Sequence, residues 1–236
     1  MKKKTIGIIG GMGPLATCDL MEKIIRNTKA ETDQDHIHMI CDCNTRIPDR
    51  TNAILEGGED PVPEMIKSIK RLQECGADLL IMPCNTAHYY YDRLQAAAEI
   101  PVLHMLRETA KELRGDGITC AAVFATDGTV RSGIYEKILR EQGIRAVYPS
   151  PEQQKLLMCL IYDYVKSGRT GIETKRPHVQ KLLEAMDSKG AQKMILGCTE
   201  LPIAFDLLGM KKETVDPTLV LARAAVRAAG YETVFL

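Results

Sequence analysis

Two cysteines occupy matching places in the chain. Gly76-Ala77-Asp78-Leu79-Leu80-Ile81-Met82-Pro83-Cys84-Asn85-Thr86 aligns with Gly190-Ala191-Gln192-Lys193-Met194-Ile195-Leu196-Gly197-Cys198-Thr199-Glu200 at a constant separation of 114 residues. In each copy an apolar run of strand character ends at the cysteine, and a helix is expected to begin just beyond it. Free N–H groups and the positive end of a helix dipole lower the pKa of a thiol placed there. Asn85, Thr86 and Thr199 are good N-cap residues, able with the backbone amides to hold a carboxylate. A buried structural thiol would account for either cysteine alone, whereas the matched pair speaks for chemistry. Two acid/base groups facing each other across one cleft suit inversion at a carbon, one removing a proton while the other supplies one.

Short Ile-, Val- and Leu-rich runs alternate with longer amphipathic segments along the whole chain. Strands are expected at Thr5–Gly10, His36–Asp42, Asp78–Met82, Val102–Leu103, Thr119–Ala125, Ala146–Tyr148, Lys193–Leu196 and Glu213–Val215. Helices are expected at Pro14–Lys29, Pro61–Cys75, Thr86–Ala97, Val130–Gln142, Pro151–Lys166, Pro177–Lys189, Glu200–Leu207 and Pro217–Ala229, several with proline at the first helical position, where its missing N–H costs nothing. Continuous apolar strands alternating with helices predict an α/β fold with parallel sheets flanked by helices. A second repeat, TIGIIGGMGP from Thr5 against CAAVFATDGT from Cys120, accompanies the cysteine repeat. Together they predict two pseudosymmetric Rossmann-like domains with the active site in the cleft between them. The expected division is residues 1–103 plus 216–236 for the first domain and 104–215 for the second, with a hinge around Ile100–Met105.

Composition narrows the function classes. Lys plus Arg and Asp plus Glu both number 31 in 236 residues, so the formal net charge is zero. That balance provides no general field for nucleic acid or an anionic membrane. The basic start MKKK is followed by an apolar run of about six residues before glycines and Pro14 break it, too short for a signal core. No stretch approaches the ~20 apolar residues of a membrane span, and a cytoplasmic protein is expected. Eight cysteines include no C-x-x-C pair. Cys41 and Cys43 form C-x-C at the end of an expected strand and His36 and His38 form H-x-H just before it; period-2 alternation keeps the four from converging on an ion, so a half-buried strand is expected there and no metal.

The sequence resembles the aspartate/glutamate racemase family, and within it the cofactor-independent aspartate racemases. The matching residues are Gly10-Gly11-Met12-Gly13-Pro14, Ile47-Pro48-Asp49-Arg50-Thr51 with Ile54-Leu55, and Pro83-Cys84-Asn85-Thr86-Ala87-His88. They continue through Ala125-Thr126-Asp127-Gly128-Thr129 with Ser132 and Tyr135, Gly197-Cys198-Thr199-Glu200-Leu201, and Asp216-Pro217. The resemblance covers essentially the whole chain. It implies Cys84 and Cys198 as the catalytic pair, no pyridoxal phosphate or other cofactor, an amino-acid substrate and a homodimer. It also implies Asn85, Thr86 and Thr199 at the α-carboxylate, with Thr126 and Thr129 in a matching loop and Met12 and Glu200 completing the substrate-binding set. Arg50 and Lys166 match the cations that relatives set against the side-chain carboxylate of aspartate, and a guanidinium fork suits that task. Arg46 is a further cation nearby. His88, four residues beyond Cys84, is expected to be a satisfied, half-buried histidine.

Other readings compete. Gly11-Met12-Gly13-Pro14-Leu15-Ala16 fits the G-x-G-x-x-A fingerprint of nicotinamide dinucleotide-binding oxidoreductases. Asp42, however, lies 29 residues beyond Gly13, later than the usual ~20, and Pro14 removes one N–H from the phosphate cradle. A non-catalytic small-ligand receptor would gain nothing from two thiols at its centre. Hydantoin racemases and maleate isomerases also use paired cysteines, but Arg50 favours an acidic amino acid. A broad-specificity amino-acid racemase is the nearest alternative.

Overall fold

In a computed structural model, which describes residues 3–210 and 213–234, the chain divides into two compact units. One comprises Met1–Glu108 with Thr218–Leu236, the other Thr109–Pro217. The first contains β1 (Ile6–Gly10), α1 (Pro14–Asn27), β2 (Met39–Cys43), α2 (Arg50–Leu55), α3 (Val62–Glu74), β3 (Leu79–Ile81) and α4 (Tyr91–Ala97). The unit boundary falls within α5 (Met105–Gly115). The second contains β4 (Cys120–Ala125), α6 (Asp127–Arg131), α7 (Ile134–Glu141), β5 (Arg145–Val147), α8 (Pro151–Cys159), α9 (Arg176–Ser188), β6 (Lys193–Gly197), α10 (Glu200–Leu207) and β7 (Thr214–Val215). Helix α11 (Pro217–Ala228) closes the first unit.

Both sheets are parallel, as expected of strands that are apolar throughout. The first has the order β2-β1-β3, with Ile6 opposite both Met39 and Leu79, and a parallel bridge from Leu80 to Val102 marks a fourth position. The second has the order β5-β4-β6-β7, with Ala121 opposite Lys193 and Ala125 opposite Gly197. The two sheets therefore share one strand order. Every residue of β1 and β4 is buried, because each is an inner strand covered on both faces. The helices bury single stripes. Val62, Met65, Ile69 and Leu72 of α3, and Val179, Leu182, Leu183 and Met186 of α9, are spaced to face a sheet.

Several elements differ from expectation. The helix expected over 130–142 is two, because Gly133 at φ +66° takes the left-handed conformation that interrupts it. The expected helix 151–166 is α-helical only to Cys159 and then widens into a π-helical turn over Leu160–Lys166. The segment after Cys84 begins as a 3-10 turn, Thr86–Tyr90, before becoming α4. Val102–Leu103 supplies a single bridge rather than a strand, and β2 starts at Met39, leaving His36 and His38 outside it.

Candidate active site

In an open parallel sheet, ligands bind beyond the carboxyl ends of the strands where the strand order reverses. In the first unit that point lies between β1 and β3, and in the second between β4 and β6. The predicted site residues fall at these two places, in one group per unit.

In the first unit, the turn after β1 is built for close approach. Gly11 has φ +91°, and a Cβ there would lie 2.3 Å from the Asn44 carbonyl carbon in the loop after β2. Only glycine permits that contact. Thr17 ties the turn to α1: its hydroxyl accepts from the Gly11 amide and donates to the Gly13 carbonyl, each at 3.0 Å. Met12, next in line, is buried in the same apolar cluster as Cys84, Ile9, Leu80 and Met82. Arg50 opens α2, whose cap is the Asp49 carboxylate accepting the Asn52 amide at 2.7 Å. Its guanidinium donates to the carbonyls of Pro48 at 2.9 Å, Ile47 at 3.2 Å and Met12 at 3.4 Å. Arg50 thus joins the loops after β1 and β2, and its buried Nε has no hydrogen-bond partner among the described residues. Arg46 is exposed.

Cys84 follows β3, its amide donating to the Met82 carbonyl at 2.9 Å. Asn85 and Thr86 are buried beside it. Asn85 stands at the cap position of the 3-10 turn without a side-chain capping bond, so its expected capping role is not seen. The expectation of a half-buried His88 is also corrected, since the ring is fully enclosed and bonded at both nitrogens. Nδ1 donates to the Cys84 carbonyl at 2.8 Å, and Nε2 accepts the Met105 amide at 3.1 Å.

In the second unit, Thr126 caps α6, its hydroxyl accepting the Thr129 amide at 3.3 Å and lying 3.2 Å from the Thr129 hydroxyl. Gln154 braces the same turn from α8, donating to the Ala125 carbonyl at 2.9 Å and the Asp127 carboxylate at 2.8 Å. Gly197 precedes Cys198 where the first repeat has Pro83; a Cβ at Gly197 would lie 3.0 Å from the Tyr135 ring and 3.1 Å from the Phe124 carbonyl oxygen. Thr199 stands at the cap of α10, but its hydroxyl makes no capping bond and instead donates to Glu200 Oε2 at 3.2 Å. The Cys198 thiol donates to the same oxygen at 2.9 Å. Lys166, at the end of the π-helical turn that packs on α10, brings its Nζ to 3.9 Å from Glu200 Oε1 and over the Tyr162 ring at 4.5 Å.

The expected lowering of the thiol pKa is reversed at Cys198. Burial pushes it well above the ordinary value, and the Glu200 carboxylate adds to the rise. The Lys166 charge and the Glu200 amide pull it down by less. The helix-terminus effect is therefore present but outweighed.

Thr17 and Gln154 were not identified as structural ties from the sequence. His88 is satisfied as expected, though more deeply buried. Nothing in the sequence marks Gln154. All eight cysteines are free. The described residues contain no group of three or more His, Cys, Asp or Glu suited to a metal ion, and no helix long and apolar enough to cross a membrane.

Parallel α/β units, each presenting a thiol in the turn after its third strand, define an enzyme class that works at the carboxyl ends of its strands. Residues 9–225 match the Asp/Glu/hydantoin racemase family, and the chain belongs to that family. It is a racemase, and this replaces the dinucleotide-binding alternative. The chain is 33% identical to the Picrophilus torridus aspartate racemase, with a TM-score of 0.86 and coverage of 98% of this chain and 96% of that one. It is 30% identical to a broad specificity amino-acid racemase of Bacillus subtilis (strain 168), over 94% of this chain and 96% of the relative. A glutamate racemase from Francisella tularensis, solved with D-glutamate, shares the fold at 20% identity and a TM-score of 0.66, over 97% of this chain and 81% of that one.

Proposed function

We propose that the protein interconverts L- and D-aspartate by proton transfer at the α-carbon, with Cys84 and Cys198 as the two acid/base groups. One observation carries the reading: the two units share one strand order, and each places a thiol in the turn that follows its third strand. In this reaction a thiolate takes the α-hydrogen and becomes a thiol. The other thiol delivers its proton to the opposite face of the carbanion and becomes the thiolate. The reading requires each sulfur to come within about 3–3.5 Å of the substrate α-carbon. Backbone amides and the hydroxyls of Thr86, Thr126, Thr129 and Thr199 are suited to the α-carboxylate, onto which the carbanion charge spreads. Arg50 and Lys166 are the cations assigned to the side-chain carboxylate. The ligand is thus a small amino acid, handled without an added cofactor, and the working assembly is taken to be a homodimer.

Likeness to the Picrophilus torridus aspartate racemase supports the choice of aspartate. A broad-specificity reading draws on the Bacillus subtilis relative, and on an Arg50 that is already bonded to three backbone carbonyls. The test is early turnover of L-aspartate in D2O. Because a thiol holds one exchangeable proton, the D-product should carry deuterium at Cα while recovered L-aspartate stays protiated. Substantial protium in the D-product would rule out two bases on opposite faces. Faster turnover of homoserine than aspartate would transfer the assignment to the broad-specificity reading.

A further inference from the structure

Among the differences between the two repeats beside the sulfur, one introduces a charge. Where the first has Thr86, the second has Glu200. Glu200 is itself buried, with Oε2 receiving both the Cys198 thiol and the Thr199 hydroxyl. Its other oxygen faces Lys166 at 3.9 Å, too far for a hydrogen bond but close enough for attraction. Tyr135 also faces Cys198; burial and the Asp216 charge push its phenol well up, so it adds no charge of its own at neutral pH. Among the described residues, the titratable groups around this sulfur are thus one adjoining carboxylate, one more distant ammonium and a neutral phenol. A thiolate at Cys198 would lie 2.9 Å from a carboxylate oxygen, losing its hydrogen bond and gaining a like charge.

We propose that Glu200 is a positioning residue that holds Cys198 as the neutral thiol in the substrate-free enzyme, so that the two cysteines enter the reaction unequal. Resting on the two-base reading above, Cys198 is the proton donor of the resting form and Cys84 the first acceptor. Burial and the carboxylate both raise the Cys198 thiol, consistent with this division. The reverse reaction starts from the minor form, in which the two protonation states are exchanged. Racemisation has an equilibrium constant of one, which forces kcat/KM to be equal in the two directions. The inequality therefore shows only as matched differences in kcat and KM separately. Lys166 opposes Glu200: its charge favours the thiolate, and its distance makes it the weaker influence.

The experiment is alkylation of the full chain by iodoacetamide, resolved by mass spectrometry at each cysteine from about pH 6 to about pH 10, without substrate. Cys84 and Cys198 are 6% and 7% exposed, so access does not separate them. Cys198 should react only at the alkaline end. Glu200→Gln, equal in size, should lower its midpoint by about one pH unit and speed its alkylation about tenfold at neutral pH. Lys166→Met, at an exposed position, should move the midpoint in the opposite direction. Opposite shifts from two neighbours of one sulfur distinguish charge from a general loosening of the fold. A Glu200→Gln midpoint that stays or rises overturns the proposal, and so does a Lys166→Met midpoint that falls. Because alkylation is read without turnover, the two readings fail separately. A folded Cys198→Ala variant that still racemises would defeat the two-base reaction and leave the Glu200 contact standing. An inactive Cys198→Ala variant with an unmoved Glu200→Gln titration would defeat only the present inference.

Discussion

His88 grips the peptide of Cys84: its Nδ1 lies 2.8 Å from the Cys84 carbonyl oxygen, while Nε2 accepts the Met105 amide at 3.1 Å. The accepting nitrogen carries no proton, so the hydrogen is on Nδ1 and the ring is neutral. Burial pushes His88 down to about 4 from its ordinary value of 6.5. His104, tilted against it with ring centroids 4.9 Å apart, is also pushed down by burial and by its neighbour. The turn bearing the first sulfur is thereby fastened to the start of α5 by a ring that works only when uncharged.

Acid should loosen this fastening. A histidine with a depressed folded pKa contributes stability that is complete above the unfolded value. That contribution is lost as pH falls, because the unfolded chain binds the proton first. For His88 the window runs from 6.5 down to about 4, with a slope of up to about 1.4 kcal/mol per pH unit for each proton. Urea midpoints at about pH 7 and about pH 5 should therefore differ, and His88→Gln should flatten the difference. An unaltered slope in the variant would show that His88 titrates normally.

Cys84→Ala and Cys198→Ala should each fold and each abolish racemisation, since removing either member of a unit that acts together removes the reaction. Circular dichroism establishes folding and polarimetry of L-aspartate reads the activity. Retention of more than about a tenth of wild-type activity by either folded variant would contradict the paired assignment.

Arg50→Leu should lower kcat/KM for aspartate by about tenfold or more, as expected for loss of a charge-assisted contact worth roughly 1.5–3 kcal/mol. Arg50 also donates to the carbonyls of Ile47, Pro48 and Met12, so a neutral substrate provides the control. Homoserine turnover should fall far less. An equal loss on both substrates would make Arg50 a brace for the loops rather than a grip on the ligand.

Gly11→Ala should destabilise the first unit by more than about 1 kcal/mol, through its positive φ and the collision of the new Cβ with the Asn44 backbone. Thermal unfolding measures this directly. A variant with an unchanged midpoint would mean that the Asn44 loop moves aside freely.

Strands and parallel order were legible because β1 and β4 are apolar throughout, which leaves few alternatives to an inner parallel strand. Helix α5 was overlooked although Leu106, Thr109, Ala110 and Leu113 bury the spacing of a helical face; the proline at 101, following a short helix, suggested a hinge instead. The break at Gly133 and the π-helical turn ending at Lys166 depend on tertiary packing that periodicity does not encode. At the candidate site, residue types and spacing marked the cysteines, whereas Arg50 and Lys166 were marked by the family resemblance. Which groups bond to one another was not legible. Glu200 could be placed near a substrate from its motif, yet its bond to the neighbouring sulfur depends on a side-chain rotamer that only the folded turn selects.

The split of the first unit has a consequence for synthesis. Helix α11 buries Val220, Leu221, Ala225 and Val226, and the Lys4 amide donates to the Ala229 carbonyl. On the ribosome, β1 through β3 are made first, yet helix α11 of the same unit arrives only after the whole of Thr109–Pro217. At about 5–20 residues per second that interval is on the order of 5–20 s, long enough for the second unit to fold while the first still exposes apolar surface. Slow translation through the inserted stretch would prolong that exposure, making the rate of elongation, as well as the sequence, a determinant of how much chain escapes aggregation.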